Sequence, residues 1–80
     1  MKAAYLYTKY AKNLCYYESE LKCLIDLLKI EKNKNIVKDI FCEMHQLENN
    51  IMLGRMINRG FSKEKINKYY SLMIKNSHHF

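Results

Sequence analysis

The sequence contains no proline and only two glycines, so few of its residues would interrupt a helix. It has no apolar run approaching the ~20 residues that cross a membrane, and the apolar stretch near its start is too short for a secretion signal. We therefore expect neither a membrane span nor a targeting segment, and we do not expect the chain to associate with membranes.

Cysteine is scarce as well, and the three cysteines are odd in number. Cys15 and Cys23 lie eight residues apart on a predicted helix, a separation of about 12 Å that no disulfide bond spans. Together with Cys42 they are typical of reduced thiols rather than of a secreted disulfide framework. We therefore predict a cytoplasmic protein.

Apolar side chains, in contrast, are plentiful. Hydrophobic residues make up 49% of the 80 residues, which is enough for a core and argues against disorder. A chain of this length forms one domain, residues 1–80, and buries only about 60–65% of the surface that it exposes when unfolded. Because domains this small are often stabilised by a disulfide, a metal or a second copy, we expect self-association here.

The spacing of the apolar residues predicts a long first helix. They recur at alternating intervals of four and three residues over about residues 3–31, with neither glycine nor proline between them. Such a seam is typical of a helix that packs along a partner helix with coiled-coil-like contacts. The seam consists of Ala3, Tyr7, Tyr10, Leu14, Tyr17, Leu21, Leu24 and Leu28.

A second seam follows a polar segment at residues 31–35. We interpret this segment as the turn of a helical hairpin, with Asn33 or Asn35 as the cap of the next helix. The second helix covers about residues 36–59 and ends at Gly60, which favours the left-handed conformation that often follows a helix. Its seam consists of Val37, Ile40, Met44, Leu47, Ile51 and Gly54.

Ser62 is a candidate cap for a short third helix of about residues 63–76. The predicted fold class is therefore all-α. It has a long antiparallel helical hairpin, about residues 3–31 and 36–59, plus the third helix, and we expect it to dimerise into a helical bundle. Gly54 in the seam would allow two helices to approach closely.

The first candidate surface lies on the side of helix one away from the seam. At about 100° per residue, two tyrosines and two lysines fall within about 60° of one another, and no acidic residue precedes Glu18. Such a composition is typical of a protein-binding hot spot or of a stacking surface for single-stranded nucleic acid, although a solvated face has it too. The residues of this tyrosine-lysine surface are Tyr5, Lys9, Lys12 and Tyr16.

The second candidate surface is the C-terminal half of helix two, which is apolar on almost every side. Because such a helix must be buried from several directions, an 80-residue monomer would leave part of it exposed. We interpret it as a dimer or partner interface, in which pliable methionines are common, and a three-helix core that wraps it is the alternative. The candidate contact residues are Met52, Leu53 and Met56.

The segment between helices two and three has the spacing of a DNA-binding helix-turn-helix. Gly60 is followed by an aliphatic residue six positions later and by another apolar residue three beyond that. The outward residues are of types that reach phosphates and base edges, and the net charge of +6 favours an anionic partner. These residues are Arg59, Ser62, Lys63, Lys65, Asn67 and Lys68.

Catalytic and metal-binding patterns are missing from the sequence. A nucleophile requires a base within hydrogen-bond reach, and helical spacing produces neither a Ser-His-Asp nor a Cys-His set. Cys42 and His45 share a helix face, but His78 and His79 make a poor second half for a zinc site. We therefore expect no enzymatic activity, no cofactor and no small-molecule substrate.

These observations favour a small regulatory or inhibitory protein that acts by protein-protein contact as a homodimer. Its expected partners are another protein and a second copy of itself. The alternative is a basic, helix-turn-helix-like regulator that binds nucleic acid.

Overall fold

The structure is a computed structural model that describes the backbone of residues 5–77 and the side chains of residues 5–75. Every regular element in that range is helical. The predicted all-α fold, a helical hairpin followed by a shorter third helix, is confirmed. The elements are a π-helical turn at Tyr7–Ala11, α1 at Leu14–Ile30, α2 at Lys34–Asn58 and α3 at Lys63–Ser77.

Asn33 determines where α2 begins. Its Oδ1 accepts hydrogen bonds from the backbone N–H groups of Asn35 and Ile36, at 2.9 and 3.4 Å. The first N–H groups of a helix have no partner inside it, so this side chain supplies one. The Glu31 carboxylate accepts a further hydrogen bond from the Asn33 N–H at 3.2 Å. The prediction of a cap at Asn33 is confirmed, and α2 begins at Lys34, two residues before the expected start.

The turn between α2 and α3 depends on Gly60, whose φ of 78° lies in the left-handed region. Its N–H donates to the Ile57 carbonyl at 3.1 Å, and the Phe61 N–H donates to the Met56 carbonyl at 3.1 Å. This pair of bonds is a Schellman motif, which satisfies carbonyls left over at a helix end. The Ser62 hydroxyl then accepts a hydrogen bond from the Lys65 N–H at 3.3 Å and caps α3 as predicted.

After this turn, α3 runs back alongside the C-terminal half of α2. The Tyr69 hydroxyl donates to Oδ1 of Asn49 at 3.3 Å. Phe61 lines a cavity with Met56 near the turn, whereas Ile74 lines one with Gln46, about three helical turns further back along α2. Residue numbers therefore rise along α3 as they fall along α2, and the two helices are antiparallel.

The core lies at the end of the molecule where the π-turn and α3 both pack on α2, which we call the head. Leu53 is fully buried there, next to Leu6 and Tyr10, each of which is under 5% exposed. Half-buried side chains of α3 close this cluster from the other side. They are Ile66, Tyr69, Tyr70 and Met73.

The rest of the hairpin, residues 21–44, consists of α1 and α2 alone, and we call it the arm. Ile40 is the one buried side chain among these residues. The predicted seam is present, but apart from Ile40 its residues in the arm are only half-buried because no third helix covers them. The arm exposes five large hydrophobic side chains, namely Ile25, Leu27, Ile30, Ile36 and Phe41.

The first helix was predicted to be uninterrupted, but the π-turn interrupts it. The seam was predicted to include Tyr7, but Tyr7 is 53% exposed and Leu6 is buried in its place. Leu6, Tyr10 and Leu14 are separated by two successive steps of four residues. This spacing departs from the regular alternation of four and three residues, and such a departure unwinds a helix locally. A π-turn holds about one residue more than an α-turn and absorbs this shift. Ala3, the first predicted seam residue, lies outside the described residues.

Two side chains satisfy the backbone carbonyls that the π-turn leaves open. Asn13 donates from Nδ2 to the carbonyls of Thr8 and Lys9, at 3.1 and 3.0 Å. The Tyr17 hydroxyl donates to the same Lys9 carbonyl at 2.8 Å. These bonds fix the junction between the π-turn and α1, so the direction of the first helical segment is set locally.

Gly54 allows the π-turn to approach α2 closely. A Cβ atom at this position would lie 2.8 Å from the Tyr10 carbonyl oxygen and 3.1 Å from Cδ1 of Leu14. Neither distance leaves room for a methyl group, and the first involves backbone that cannot rotate away. The expectation that Gly54 permits close helix contact is therefore confirmed.

Candidate protein-interaction surfaces

The tyrosine-lysine surface is exposed in the head. Tyr5 is 50% exposed and Tyr16 62% exposed, and both lysines are exposed as well. The Lys9 amino group lies over two aromatic rings, 5.7 Å from the centroid of Tyr5 and 5.4 Å from that of Tyr10. Such cation-π contacts hold a lysine side chain against the protein surface.

The same contacts affect ionisation in the head. The neighbouring Tyr5 side chain raises the pKa of Lys9, so this lysine keeps its charge at neutral pH. Burial raises the pKa of Tyr10 more than the nearby Lys9 charge lowers it. The head thus presents a positive charge on Lys9 beside the neutral phenol of Tyr10.

The π-turn changes how the four predicted residues of this surface are grouped. Tyr16 packs edge to face on Tyr17, with ring centroids 6.0 Å apart, and Tyr17 in turn bonds to the Lys9 carbonyl. Tyr5, Lys9 and Tyr16 are therefore linked by contacts. Lys12 is exposed in the short turn before α1, and the extra residue of the π-turn rotates it away from Lys9 relative to an ideal helix.

Leu53 was predicted to contact a partner, but this prediction is wrong because Leu53 lies in the core. Its side chain is fully buried, because α3 turns back over the side of α2 that carries it. The other two residues of that prediction remain accessible: Met52 is 46% exposed and Met56 is half-buried. The three-helix core thus covers part of the apolar end of α2 and leaves the methionines at its edge.

Met52 belongs to an open groove between α1 and α2, with a volume of about 310 Å³. Glu18 and Arg55 form an ion pair across one end of it, with an N–O distance of 3.3 Å. Apolar side chains form its floor, and charged side chains of both signs form its rim. The floor consists of Leu21, Ile25, Ile51 and Met52, and the rim of Glu18, Lys22, Glu48 and Arg55.

The residues predicted to contact nucleic acid lie around the α2–α3 turn. Four basic residues are exposed there, whereas the Ser62 hydroxyl is engaged in capping and Asn67 is half-buried. After the turn, α3 runs back along the C-terminal half of α2. The exposed basic residues are Arg59, Lys63, Lys65 and Lys68.

The opposite side of the α1–α2 hairpin carries acidic residues that no motif in the sequence marks. Lys9 lines a cavity there with Gln46 of α2. Glu43 and Asp39 precede Gln46 by one and two helical turns on the same side, and both are exposed. On α1, exposed Glu20 points about 160° away from the groove residue Glu18.

This acidic side reflects an uneven distribution of charge along the sequence. Residues 18–48 contain seven of the eight acidic residues and five lysines, so their net charge is −2. The remaining residues contain nine basic residues and one acidic residue, so their net charge is +8. A charge count by segment would have revealed this asymmetry. Only the packing of α1 against α2, however, places Glu20 on the same side as Asp39 and Glu43.

The described residues also bear on other chemistry. The three cysteines are free thiols, with Cys15 and Cys23 exposed. No three His, Cys, Asp or Glu side chains cluster closely enough to hold a metal ion within the part of the chain that the structure describes. His78 and His79 lie outside that part. None of the helices searched is both long and apolar enough to cross a membrane.

Comparisons with protein-family models, with curated proteins and with solved structures found no match to this chain. The surfaces described above are therefore the basis for assigning a function.

Proposed function

We propose that the chain is a small non-enzymatic regulatory or inhibitory protein that acts by contact with another protein, and that it does so as a homodimer. The observation that carries this proposal is the open groove between α1 and α2. Its floor includes Ile25 and Met52, which are 39% and 46% exposed although they lie where the two longest helices of the described chain meet.

The shape and charge of the groove support an amphipathic helix as its occupant. Two helical walls with an apolar floor accept a third helix, whose apolar residues would recur every three or four positions. The rim carries two acidic and two basic side chains, so it complements a helix with charges of both signs. Methionine supports this use, because its flexible side chain adapts to a partner surface.

The test of this proposal uses two substitutions of an exposed apolar residue by glutamate. Met52→Glu places a charge in the groove floor and should reduce partner affinity at least about tenfold, since the charge would be buried against the partner. Ile30→Glu makes the matched change at a 73% exposed position at the end of α1 and should leave affinity unchanged. Circular dichroism establishes that both variants remain helical.

Identification of the partner requires site-specific photo-crosslinking in the native host. A photoreactive residue at position 52 should form a discrete protein adduct that maps to an amphipathic helix, and the same residue at position 30 should not. Absence of such an adduct from position 52, or equal capture by the Met52→Glu variant, would contradict the proposed contact.

Nucleic-acid binding is the second candidate function, supported by the exposed basic residues around the α2–α3 turn. Replacement of Lys63, Lys65 and Lys68 by glutamine should then abolish retention of duplex or single strands at ~50 mM salt. In single replacements, the log-log dependence of affinity on salt should become shallower, because fewer phosphates are neutralised. If the unaltered chain retains no nucleic acid at ~50 mM salt, this candidate is excluded.

A further inference from the structure

A second groove runs between α2 and α3, and we call it the α2–α3 groove. Near the turn it widens into an open cavity of about 250 Å³. Further along it continues as a cavity beside His45 and Asn49 of α2, and the two cavities share Tyr69 and Leu72. Because His45 and Met56 are eleven residues apart on α2, the groove is about 16 Å long, or three helical turns. The wider cavity is lined by Met56, Phe61, Lys65, Lys68, Tyr69 and Leu72.

We propose that the α2–α3 groove binds an acidic amphipathic helix of a partner protein. Apolar side chains of that helix enter the floor, which consists of Met56, Phe61 and Leu72, and its carboxylates meet Lys65 and Lys68 at the rim. This site is separate from the groove between α1 and α2. The inference goes beyond the proposed function, because it assigns a second contact surface and the charge of the partner that fits it.

The floor of the groove is accessible although it lies between two packed helices. Phe61 is 42% exposed, Leu72 is 48% exposed and Met56 is half-buried. The Tyr69 hydroxyl donates to Asn49, so this polar group of the lining already has a partner within the chain. A partner side chain that enters the cavity therefore gains free energy mainly by burial of apolar surface.

The rim of the groove carries charge of one sign. Lys65 and Lys68 line the wider cavity, and among the described residues no acidic side chain lines either cavity. The ion pairs within the described part of the chain include neither lysine. The groove between α1 and α2 differs, since Glu18 and Glu48 belong to its rim. Two cations beside an apolar floor complement a helix that combines carboxylates with apolar residues.

The spacing of these residues on α3 also fits a helix as the occupant. Lys65, Lys68 and Leu72 follow one another at intervals of three and four residues, so they form one stripe along α3. Phe61 continues the stripe at the turn, four residues before Lys65. A partner helix laid along this stripe would present its own apolar residues every three or four positions.

The same features favour an acidic helix over nucleic acid or a membrane surface. Nucleic acid is bound through neutralisation of several phosphates, whereas this groove offers two lysines and a largely apolar floor. A membrane takes up apolar side chains that protrude from a helix face, whereas the floor here is recessed between two helices. A recess instead receives a side chain that protrudes from a partner.

The probe for this site is a displayed library of helices about 14 residues, or four turns, long. Apolar residues are fixed at every third or fourth position, and Glu, Lys and Gln are varied beside them. Selection on the full chain at ~50 mM salt should enrich helices with Glu at the varied positions, because salt at this level screens the two lysines only weakly. Fluorescence anisotropy then measures the affinity of each selected peptide for the chain and its variants.

Leu72→Gln and Ile74→Gln form the matched pair for the floor. The two residues are 48% and 43% exposed and point about 160° apart on α3, and Ile74 lines a different cavity, with Gln46. Leu72→Gln should weaken binding of the selected peptides at least about tenfold, because it removes apolar surface that the peptide buries. Ile74→Gln should leave their affinity unchanged. Circular dichroism reports whether each variant folds, and Phe61→Gln replaces Leu72→Gln if the latter loses helicity.

The lysines of the rim have a matched control in Lys63, which points about 160° away from Lys65 on α3. Joint replacement of Lys65 and Lys68 by glutamine should weaken peptide binding about fivefold, as expected for two exposed charge contacts. Lys63→Gln removes the same kind of charge and should change the affinity much less. The difference between these variants should shrink at ~0.5 M salt, where exposed charges are screened.

Each outcome of these measurements decides the inference. A selection that enriches no helix, or helices without acidic residues, would overturn it, and so would selected peptides that Leu72→Gln does not weaken. Duplex DNA or phosphatidylserine vesicles that bind the chain and lose affinity in Leu72→Gln, in the absence of such peptides, would assign the groove to that occupant instead. Peptides that only Met52→Glu weakens would occupy the groove between α1 and α2, which would support the proposed function while contradicting this second site.

Discussion

The head and the arm are built from the same hairpin but differ in what covers it. In the head, the π-turn and α3 pack on α2 from different directions, and Leu53 is completely shielded from solvent. In the arm, the same seam continues without a third layer, and Ile40 is the one buried side chain of residues 21–44. A regular seam is therefore enough to pair two helices, whereas full burial requires a third element.

The largest expected difference between the two regions concerns truncation of a seam or core leucine. Leu53→Ala removes a fully buried side chain and should lower the free energy of unfolding by about 2–5 kcal/mol. Leu24→Ala in the arm removes a half-buried side chain and should cost about half as much. Urea unfolding measures both. Equal losses of stability would contradict the conclusion that the third element makes the head the more fully buried region.

A smaller effect is expected at Gly54. Gly54→Ala forces a methyl group against the Tyr10 carbonyl oxygen, which should cost about 1–3 kcal/mol through displacement of the π-turn. Part of this cost is offset by the ~1 kcal/mol that alanine gains over glycine inside a helix. Thermal unfolding followed by circular dichroism reports the net change, and increased stability would show that the close approach is not required.

Gly60 provides the matched comparison, since a Cβ atom there meets no atom within 4 Å. The cost of Gly60→Ala, about 1 kcal/mol, would arise from the positive φ alone. The two variants therefore distinguish a clash between elements from strain within a turn.

The smallest effect is expected at the tip of the arm. Asn33→Ala removes the side chain that caps α2 and should cost about 1 kcal/mol, whereas Asn35→Ala removes a side chain that does not take part in the cap. The second change should be neutral or slightly stabilising, because alanine is the better helix former. Unfolding midpoints of the two variants test this directly. A larger destabilisation at Asn35 would contradict the assigned cap.

Local sequence signals predicted the parts of the fold that depend on local chemistry. The seams, the cap at Asn33, the glycine turn and the start of α3 follow from spacing and from residue types that satisfy helix ends. The π-turn could not be predicted in this way. Leu6 and Tyr7 are both apolar, and the choice between them is made by the contact with Leu53 and Gly54 across the head.

The candidate surfaces were predictable only where they lie on a single helix. The exposure of Tyr5 and Tyr16 follows from their position relative to the seam. Leu53 was assigned to a partner surface because the direction of α3 is not encoded in any spacing on α2. The acidic side of the hairpin was missed because Glu20 belongs to one helix and Glu43 to another, and only the packing of the two helices brings them to one side.

The central position of α2 has a consequence for how the chain reaches its structure. Each of the other elements packs on α2, and each is joined to it, directly or through α1, by a connection of a few residues. Most contacts thus form between segments that are near in sequence, so little chain entropy is given up before they are made. Refolding from urea should be complete within microseconds to milliseconds, as for other small helical bundles.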